Sequence, residues 1–547
     1  MNQLHGIGQP CQIGPPCFFA RQPVLYPKHG FTPCVQVCGR KGDAGPVAGV
    51  IAKDLGQGRL NGHGFRPRAQ PLCSGFERGH GRAPFLMFSF CSTPESGVSS
   101  ILTSPIVQTQ HLGQIALMRH FALLLTVCPA ALMAEIPRPV VDADYASVRF
   151  EEAMLGRDLF YDPILSGNRE VSCATCHHPA FGTGDGLSLG LGDGGIGLGP
   201  KRVADPQNMP QDRIPRNAPS LFNLGAHEFT RLFHDGRIEV DPNRPGGIRT
   251  PLDADMAVGF ASLLSAQTMF PVLSPDEMAG HYNENDISKA VRRGVITGTG
   301  GAWDLIAKRV AAIPVYADAF AKVYPDRPEI AFTDISNAIA AFMEWEWRSD
   351  TAPFDAVLRG ELTFEGDAAD GMALFYGEAG CGTCHAGPFL TDQDFHATGQ
   401  PQIGPGKAAA FEDNARDEGR FRVTGHESDL YAFRTPSLRN VIQTGPYGHA
   451  GAYSDLREFL TAHADPKAAL DSYAATSATL PEMPVEDLVE DFAPIAAAVK
   501  IPTITLTQAD ITALVTFLET LSDPIALNGR LGIPTTVPSG LPVAFSE

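Results

Sequence analysis

The spacing of apolar residues predicts a chain built mainly from α-helices. In eight stretches, apolar side chains recur every three or four residues, as they do on the buried face of a helix. The predicted helices cover residues 148–161, 276–281, 287–293, 303–310, 334–348, 368–376, 456–463 and 507–521. Alternating patterns, which are typical of strands, are few. We therefore predict a mainly α fold with long irregular loops.

Glycine and proline mark the predicted breaks between these helices. Glycine occupies nine of the twenty positions in residues 181–200, which predicts a loop where the backbone can approach another group closely. Residues 351–353, Thr-Ala-Pro, are the predicted junction between two domains. The Pro- and Gly-rich tail, residues 526–547, is expected to lie along the surface.

Length and charge restrict the class of protein. A chain of 547 residues is too long for one core, and two or three domains are expected. Its hydrophobic content of 44% and charged content of 19% are those of an ordinary globular protein. The formal net charge is -19, and no basic stripe is present. This balance argues against a nucleic acid or an anionic membrane as the partner.

Residues 118–134 have the layout of a secretory signal peptide. A short basic start at Met118 leads into an apolar run and then into small residues before Glu135. The run is too short to span a bilayer. A signal peptide is unexpected inside a chain, so we predict that translation starts at Met118. Residues 1–117 would then be a non-native, disordered upstream extension; the alternative is a genuine N-terminal extension with a buried apolar helix.

The pattern Cys-x-x-Cys-His occurs twice, at residues 173–177 and 381–385. It is the pattern that attaches a c-type haem, because two thiols on one helical turn bond to one porphyrin edge and the histidine reaches the iron. A zinc knuckle needs further Cys or His residues nearby, and no other Cys follows residue 134. A thiol redox pair is the other alternative. The predicted haem-binding residues are Cys173, Cys176, His177, Cys381, Cys384 and His385.

Short motifs surround the two sites in a fixed order. They include Leu-Gly-Arg-Asp-Leu-Phe-Tyr at 155–161, Arg-Asn-Ala-Pro at 216–219, Asp-Gly-Arg at 235–237, Gly-Arg-Phe at 419–421 and Thr-Pro-Ser-Leu-Arg-Asn at 435–440. Over residues 148–525 the chain thereby resembles the bacterial dihaem cytochrome c peroxidase/MauG family. The resemblance implies two cytochrome c-like haem domains, a peroxidatic one at 145–350 and an electron-transfer one at 351–525.

The resemblance also implies roles for individual residues. His177 and His385 match the proximal iron ligands, and Gln267 and Glu277 match the distal catalytic pair of the first haem. His463 stands where the family usually has a Met or Tyr ligand of the second haem, so a His/His site of lower potential is expected. The alternatives are an exposed helix-end histidine for His463 and an exposed helical charge for Glu277.

An oxygen-only calcium site is implied as well. Asn217, through its side chain, and Thr444 and Pro446, through their carbonyls, match the family's Ca²⁺ ligands between the domains. His449 resembles a family histidine that lies beside the second haem, and we expect it to be a neighbour of that haem rather than a ligand.

Besides His463, two positions depart from the family. Many members carry a loop histidine that blocks the peroxide site until reduction; that position is Asp193 here, so we predict a haem that is open without reductive activation. The tryptophan expected between the haems is His234. Imidazole is harder to oxidise than indole, which argues against relay through a side-chain radical and leaves simple tunnelling as the open alternative.

The predicted function is reduction of hydrogen peroxide by a periplasmic dihaem peroxidase. Glu277 would move the proton, and a small exported cytochrome or cupredoxin would supply electrons. Two alternatives stay open: a MauG-like oxidase acting on a protein or organic substrate, and a dihaem electron carrier without catalysis. No membrane span is expected in the mature chain. Family members are often dimers, so the resemblance allows a homodimer.

Overall fold

The described part of the protein is mainly helical. The computed structural model describes residues 134–408, 412, 414–480 and 491–545, all within one compact unit. The predicted extension, 1–117, and the signal peptide up to residue 133 lie outside these residues. The helices are α1 (Phe150–Tyr161), α2 (Cys173–Cys176), α3 (Leu263–Thr268), α4 (Asp286–Arg292), α5 (Ala302–Ala311), α6 (Pro314–Val323), α7 (Phe332–Glu346), α8 (Pro353–Leu358), α9 (Asp367–Tyr376), α10 (Phe421–Thr424), α11 (Leu456–Ala464), α12 (Pro466–Ser472), α13 (Phe492–Ala498), α14 (Gln508–Glu519) and α15 (Pro524–Asn528).

Strands contribute only short antiparallel pairings to the described residues. They are β1 (Gly195–Ile196), β2 (Val203–Ala204), β3 (Arg231–Leu232), β4 (Ile238–Val240), β5 (Ile248–Arg249), β6 (Phe395–His396) and β7 (Phe433–Arg434). β1 pairs with β2, β4 lies between β3 and β5, and β6 pairs with β7. In the last pair Phe395 is opposite Arg434. Within the described residues, no helix is both long enough and apolar enough to cross a membrane.

Several helices begin at prolines, at positions where the apolar pattern predicted no helix. α6, α8, α12 and α15 each start with proline in the first turn, where the missing N–H costs nothing because it would have no helical partner. The predicted junction at 351–353 is therefore also the start of α8. The predicted helix 276–281 is instead a short π-helical turn, Pro275–Ala279.

Two hydrophobic clusters organise the fold. The first contains the inner faces of α1, α3, α5, α6 and α7, and the second contains those of α8, α9 and α14. The tail does more than follow the surface: Leu527, Leu531, Ile533, Leu541 and Val543 pack against the first cluster. Each cluster therefore surrounds the helix that precedes one haem motif.

The same close helix crossing occurs in both clusters. A Cβ on Gly156 of α1 would lie 1.8 Å from the carbonyl oxygen of Ala338 in α7. A Cβ on Gly371 of α9 would lie 2.0 Å from that of Ala513 in α14. Only glycine allows the backbones to approach this closely. The helix before each haem motif is thus fixed against the final helix of its own cluster.

Replacing Gly156 with alanine should destabilise the protein, although this substitution usually stabilises a helix. In an open helix, Gly→Ala stabilises by about 0.5–1 kcal/mol. Here the added methyl would force α1 and α7 apart, and we expect a loss of about 1–3 kcal/mol. Urea unfolding of the wild type and of Gly156→Ala measures the difference, with Gly371→Ala as the matched change in the second cluster. A gain in stability in either variant would contradict the crossing geometry.

Candidate haem sites

The first motif forms one helical turn that points a histidine at a cavity. α2 carries both cysteines, and the backbone N–H of His177 donates to the carbonyl of Cys173 at 2.9 Å. The ring Nδ1 of His177 lies 2.9 Å from the carbonyl oxygen of Thr183, which assigns the proton to Nδ1 and leaves Nε2 available to a metal. Burial lowers the pKa of His177, so the imidazole is neutral, as a ligand must be.

Burial of Cys173, Cys176 and Cys381 disfavours redox chemistry by these three motif thiols. Cys173, Cys176, Cys381 and Cys384 are all free thiols. Burial raises the pKa of Cys173 and of Cys176 to about 12, and that of Cys381 to about 11. A reactive thiol pair needs a lowered pKa, so these values argue against the thiol-redox alternative. Covalent attachment to a porphyrin requires only that the sulfurs face the cavity.

A zinc knuckle is not supported at the first motif. Within the described ranges, one group has three ligating atoms within 4.8 Å of one another: Cys384, Asp392 and His396. It shares Cys384 with the second haem motif, and His396 Nε2 is already 2.8 Å from the Asp392 carboxylate. That contact, together with Cys384, raises the pKa of His396 to about 10. His396 is thus already paired with the Asp392 carboxylate.

The predicted residues of the first site come together around one cavity. It is partly open to solvent, has about 1100 Å³ of empty space when the solvent at its mouth is included, and is lined by Cys173, Cys176, His177, Gln267 and Glu277. Its remaining walls are largely apolar and include Phe160, Leu221, Pro271, Ile339 and Met343. Two thiols, a free imidazole nitrogen and apolar walls are what a covalently bound porphyrin requires, so the residues present fit the group.

Gln267 and Glu277 reach this cavity from two consecutive elements. Gln267 lies near the end of α3, and its Oε1 is buried without a hydrogen-bond partner among the described residues. Glu277 lies on the π-helical turn, a geometry that is frequent at functional sites. Burial raises the pKa of Glu277, while Lys407, Arg237 and a hydrogen bond with Ser274 oppose the increase. The site therefore holds an unsatisfied acceptor beside a carboxyl group suited to proton transfer.

Asp193 is held away from the cavity. It is fully buried, yet it is not among the residues that line the cavity. Its backbone N–H points at the carbonyls of Asp276 and Glu277, at 3.2 and 3.1 Å, and its carboxylate accepts from Asn168 at 3.1 Å. The loop that carries a blocking histidine in many relatives is thus fixed against the turn that bears Glu277. This placement supports the prediction of an open site.

The second motif has the same local design. The backbone N–H of His385 donates to the carbonyl of Cys381 at 3.0 Å, and its ring Nδ1 lies 3.2 Å from the carbonyl of Leu390. His463, in the last turn of α11, is half-buried and stacks on Phe459 at 5.5 Å. Burial, together with a smaller effect of His385, lowers the pKa of His463 to about 4. The two histidines are thus near enough to interact electrostatically, and ligation of one iron by both stays a prediction.

Comparison with known proteins identifies the family. The sequence model of the di-haem cytochrome c peroxidase family matches residues 150–363. The methylamine utilization protein MauG of Methylorubrum extorquens is 31% identical over 334 residues, 60% of this chain and 74% of that protein. The chain belongs to the dihaem cytochrome c peroxidase/MauG family. It is accordingly an oxidoreductase, and membership implies two c-type haems.

Two further comparisons illustrate the range of this family. The cytochrome c551 peroxidase of Pseudomonas aeruginosa is 28% identical over 331 residues, 60% of this chain and 76% of that protein. A crystal structure of a MauG-like protein associated with microbial copper homeostasis is 26% identical, with a TM-score of 0.46 over 72% of this chain and 95% of that chain. Both peroxidases and MauG are thus relatives, so membership alone does not choose between their activities.

A buried charge cluster joins the two halves of this family member. Arg216 donates to the carboxylate of Asp235 at 2.7 Å and to both oxygens of Asp417 at 2.6 and 2.7 Å. Arg237 also donates to Asp235, at 3.1 Å. We call these four residues the charge cluster. Burial alone would raise the pKa values of the two aspartates, but Arg216 holds both well below their usual range.

Two neutral histidines lie beside this cluster. His234 Nε2 is 3.1 Å from the carbonyl oxygen of Asn217, and its own backbone carbonyl accepts from Arg434 at 2.8 Å. Burial lowers its pKa to about 3. His449 stacks on Phe433 at 3.8 Å, and burial lowers its pKa to about 4. Residues from both halves therefore meet here, at the position that the family fills with tryptophan.

Each expected calcium ligand has an oxygen atom that is available to a metal. Asn217 donates from Nδ2 to the carbonyl of Leu187 at 2.8 Å, and its Oδ1 accepts no hydrogen bond within the described chain. The carbonyl oxygens of Thr444 and Pro446 likewise accept none from the residues described. Three unused oxygens are chemically suited to Ca²⁺. Calcium binding itself stays a prediction.

The sequence patterns missed the groups that orient the two proximal histidines. Thr183 and Leu390, whose carbonyls accept from His177 and His385, have φ values of 63° and 55°. A positive φ is unfavourable for residues with a Cβ, and most of all for a β-branched one such as threonine. Each strained carbonyl fixes the orientation of one imidazole. The nine glycines in residues 181–200 indicated a loop but not the conformation of Thr183 within it.

Replacing Asp417 with asparagine should lower the free energy of unfolding, because it removes one carboxylate from the charge cluster. Removing one partner from a buried ion pair costs about 3–5 kcal/mol. The exposed pair of Arg359 and Glu361 provides a control, since Glu361→Gln should cost less than about 1 kcal/mol. Guanidinium unfolding of the three proteins measures both changes, and equal stability of Asp417→Asn and the wild type would contradict the assignment.

The same variant should show a defined dependence on pH. Because the cluster carboxylates have lowered pKa values, their contribution is complete above the unfolded value of about 4 and is lost as the pH falls. The stability difference between the wild type and Asp417→Asn should therefore narrow in acid. A difference that is constant from pH 7 to pH 3 would show that these pKa values are not lowered in the folded protein.

Proposed function

We propose that this protein reduces hydrogen peroxide to water at the haem attached to Cys173, Cys176 and His177. Electrons would enter through the haem of His385, from a small exported cytochrome or cupredoxin in the periplasm. The observation that carries the proposal is the convergence of Gln267 and Glu277 on the cavity of the first motif. The relative in Pseudomonas aeruginosa is named for a small cytochrome, c551, and supports a donor of that class.

Different side chains of the first site would orient the peroxide and move its proton. The haem, when bound, supplies the redox chemistry. The unsatisfied Oε1 of Gln267 can accept a hydrogen bond from peroxide and orient it. Glu277 takes the proton from one peroxide oxygen and delivers it to the other, which leaves as water. Its raised pKa favours this exchange, because a carboxyl group that titrates nearer to neutral pH both accepts and releases a proton readily.

The second site is proposed to serve electron entry. His385 and His463 would hold both axial positions of its iron, so this haem would relay electrons without binding peroxide. Asn217, Thr444 and Pro446 would bind Ca²⁺ between the two sites. With His234 neutral and buried, electrons would cross the junction by tunnelling.

A MauG-like oxidase is the second candidate. It is favoured by the relative in Methylorubrum extorquens and by the buried position of Asp193, which leaves no blocking histidine in the loop. Turnover separates the two: a peroxidase consumes peroxide only while a reduced donor is supplied, whereas a MauG-like enzyme oxidises its own substrate with peroxide. A dihaem electron carrier would consume peroxide under neither condition.

Replacing Glu277 with glutamine should remove peroxide turnover. The amide keeps the shape of the side chain but cannot carry the proton, so the rate should fall by about 10²-fold or more. Peroxide consumption with a reduced donor measures the effect, and the absorption spectra of both haems should stay unchanged. Glu365→Gln, at an exposed position, is the matched control. Normal turnover in Glu277→Gln would remove Glu277 from the mechanism.

Replacing His463 with glycine should change the spin state of the second haem. Loss of one axial imidazole would leave a five-coordinate, high-spin iron, and added imidazole should restore the low-spin spectrum. The exposed His426→Gly serves as control. If the low-spin signal survives in His463→Gly without added imidazole, another residue binds that iron.

A further inference from the structure

A lysine that belongs to none of the motifs lines the first cavity. Lys407 lies in the loop before Asp417 and shares the cavity with Glu277 and His177. Its ammonium makes no hydrogen bond to any residue that the structure describes. The lysine is half-buried, and burial together with Arg237 and Arg216 lowers its pKa to about 8. Lys407 is therefore still protonated at neutral pH, inside a cavity of the first half of the chain.

The position of Lys407 is fixed by the scaffold. Its backbone N–H is 3.4 Å from the carbonyl of Arg416. Gln402 braces the same loop, because its amide donates to the carbonyl of Ala415 at 2.7 Å and accepts from the N–H of Asp417 at 2.8 Å. Asp417 is in turn held by Arg216. The charge cluster thus anchors the loop that brings Lys407 to the cavity.

The charged groups around Lys407 indicate what kind of ligand it can hold. The charged groups that face it are Arg237, Arg216, Glu277 and Asp417. Within the charge cluster, the two arginines and the two aspartates already balance each other. Outside the cluster, the cavity is lined by one cation, Lys407, and by two acids, Glu277 and Asp185. Burial raises the pKa of Asp185 to about 7. Of the two acids, Glu277 acts on Lys407, and Lys407 and Glu277 each favour the charged form of the other.

We propose that Lys407 is a further charged group of the peroxide site, which shares the cavity with ionised Glu277 and holds the anion that remains when Glu277 takes a proton. In this step an O–H bond of peroxide breaks and the proton joins the Glu277 carboxylate. The negative charge passes from the carboxylate to the hydroperoxide anion, and Lys407 stays protonated. The cavity keeps the same net charge throughout. The ligand class is thus a small weak acid that binds as its anion, and the assignment rests on the proposed function.

Ligand binding to the haem-loaded protein tests this role without turnover. Absorbance titrations at pH 7 would compare azide, an anion, with imidazole, a neutral ligand, in the wild type, Lys407→Gln and Lys407→Arg. Loss of one charge-assisted contact should weaken azide by about tenfold in Lys407→Gln and leave imidazole unchanged. Lys407→Arg should retain most of the azide affinity. Lys467→Gln, at an exposed position on α12, is the matched control and should behave as the wild type.

Three outcomes would overturn the assignment. Unchanged azide affinity in Lys407→Gln would show that the ammonium serves elsewhere, for instance on a haem carboxylate. Equal weakening of azide and imidazole would indicate a distorted cavity rather than a lost charge. Should Lys407→Gln fail to fold, the wild type still decides: azide but not imidazole should weaken as the pH rises through about 8, and a flat profile refutes the role. If azide behaves as expected but peroxide is not turned over, the proposed function fails and the anion site stands.

Discussion

The contact on which the structure depends most is the buried pairing of Arg216 with Asp235 and Asp417. One guanidinium holds two carboxylates that lie far apart in the sequence, and all three side chains are almost fully buried. A buried ion pair contributes little net stability relative to a hydrophobic core, but an unpaired member would be very costly, so the pairing fixes which segments meet. The cavity wall at Arg216 and the loop with Lys407 are both set by this pairing.

Each half of the described chain repeats one design around its haem motif. A glycine crossing fixes the preceding helix, a single turn carries the cysteines, and a carbonyl at positive φ orients the histidine. The two sites differ in what faces that histidine. The first offers a carboxyl, an amide and an ammonium, which handle protons and anions, whereas the second offers an imidazole. This difference is the basis for assigning peroxide chemistry to the first and electron entry to the second.

Much of this could be predicted from sequence, because the relevant signals are local. The haem motifs and the long helices, such as α1 and α14, follow from patterns within about two helical turns. The sequence analysis missed helices α6 and α8 because a proline at a helix start looks like a break until the following residues are seen to pack. The role of Thr183 could not be predicted because its positive φ is imposed by the fold. The loop that brings Lys407 to the first cavity is anchored by the long-range pairing of Asp417 with Arg216, which no local pattern encodes.

The central claim is that one haem has an accessible face and the other does not. Electron paramagnetic resonance of the resting, haem-loaded protein tests it most directly, because spin state reports how many strong ligands each iron has. The account predicts one high-spin signal from the haem of His177 and one low-spin signal, typical of two imidazoles, from that of His385. Two low-spin signals in the resting protein would contradict it.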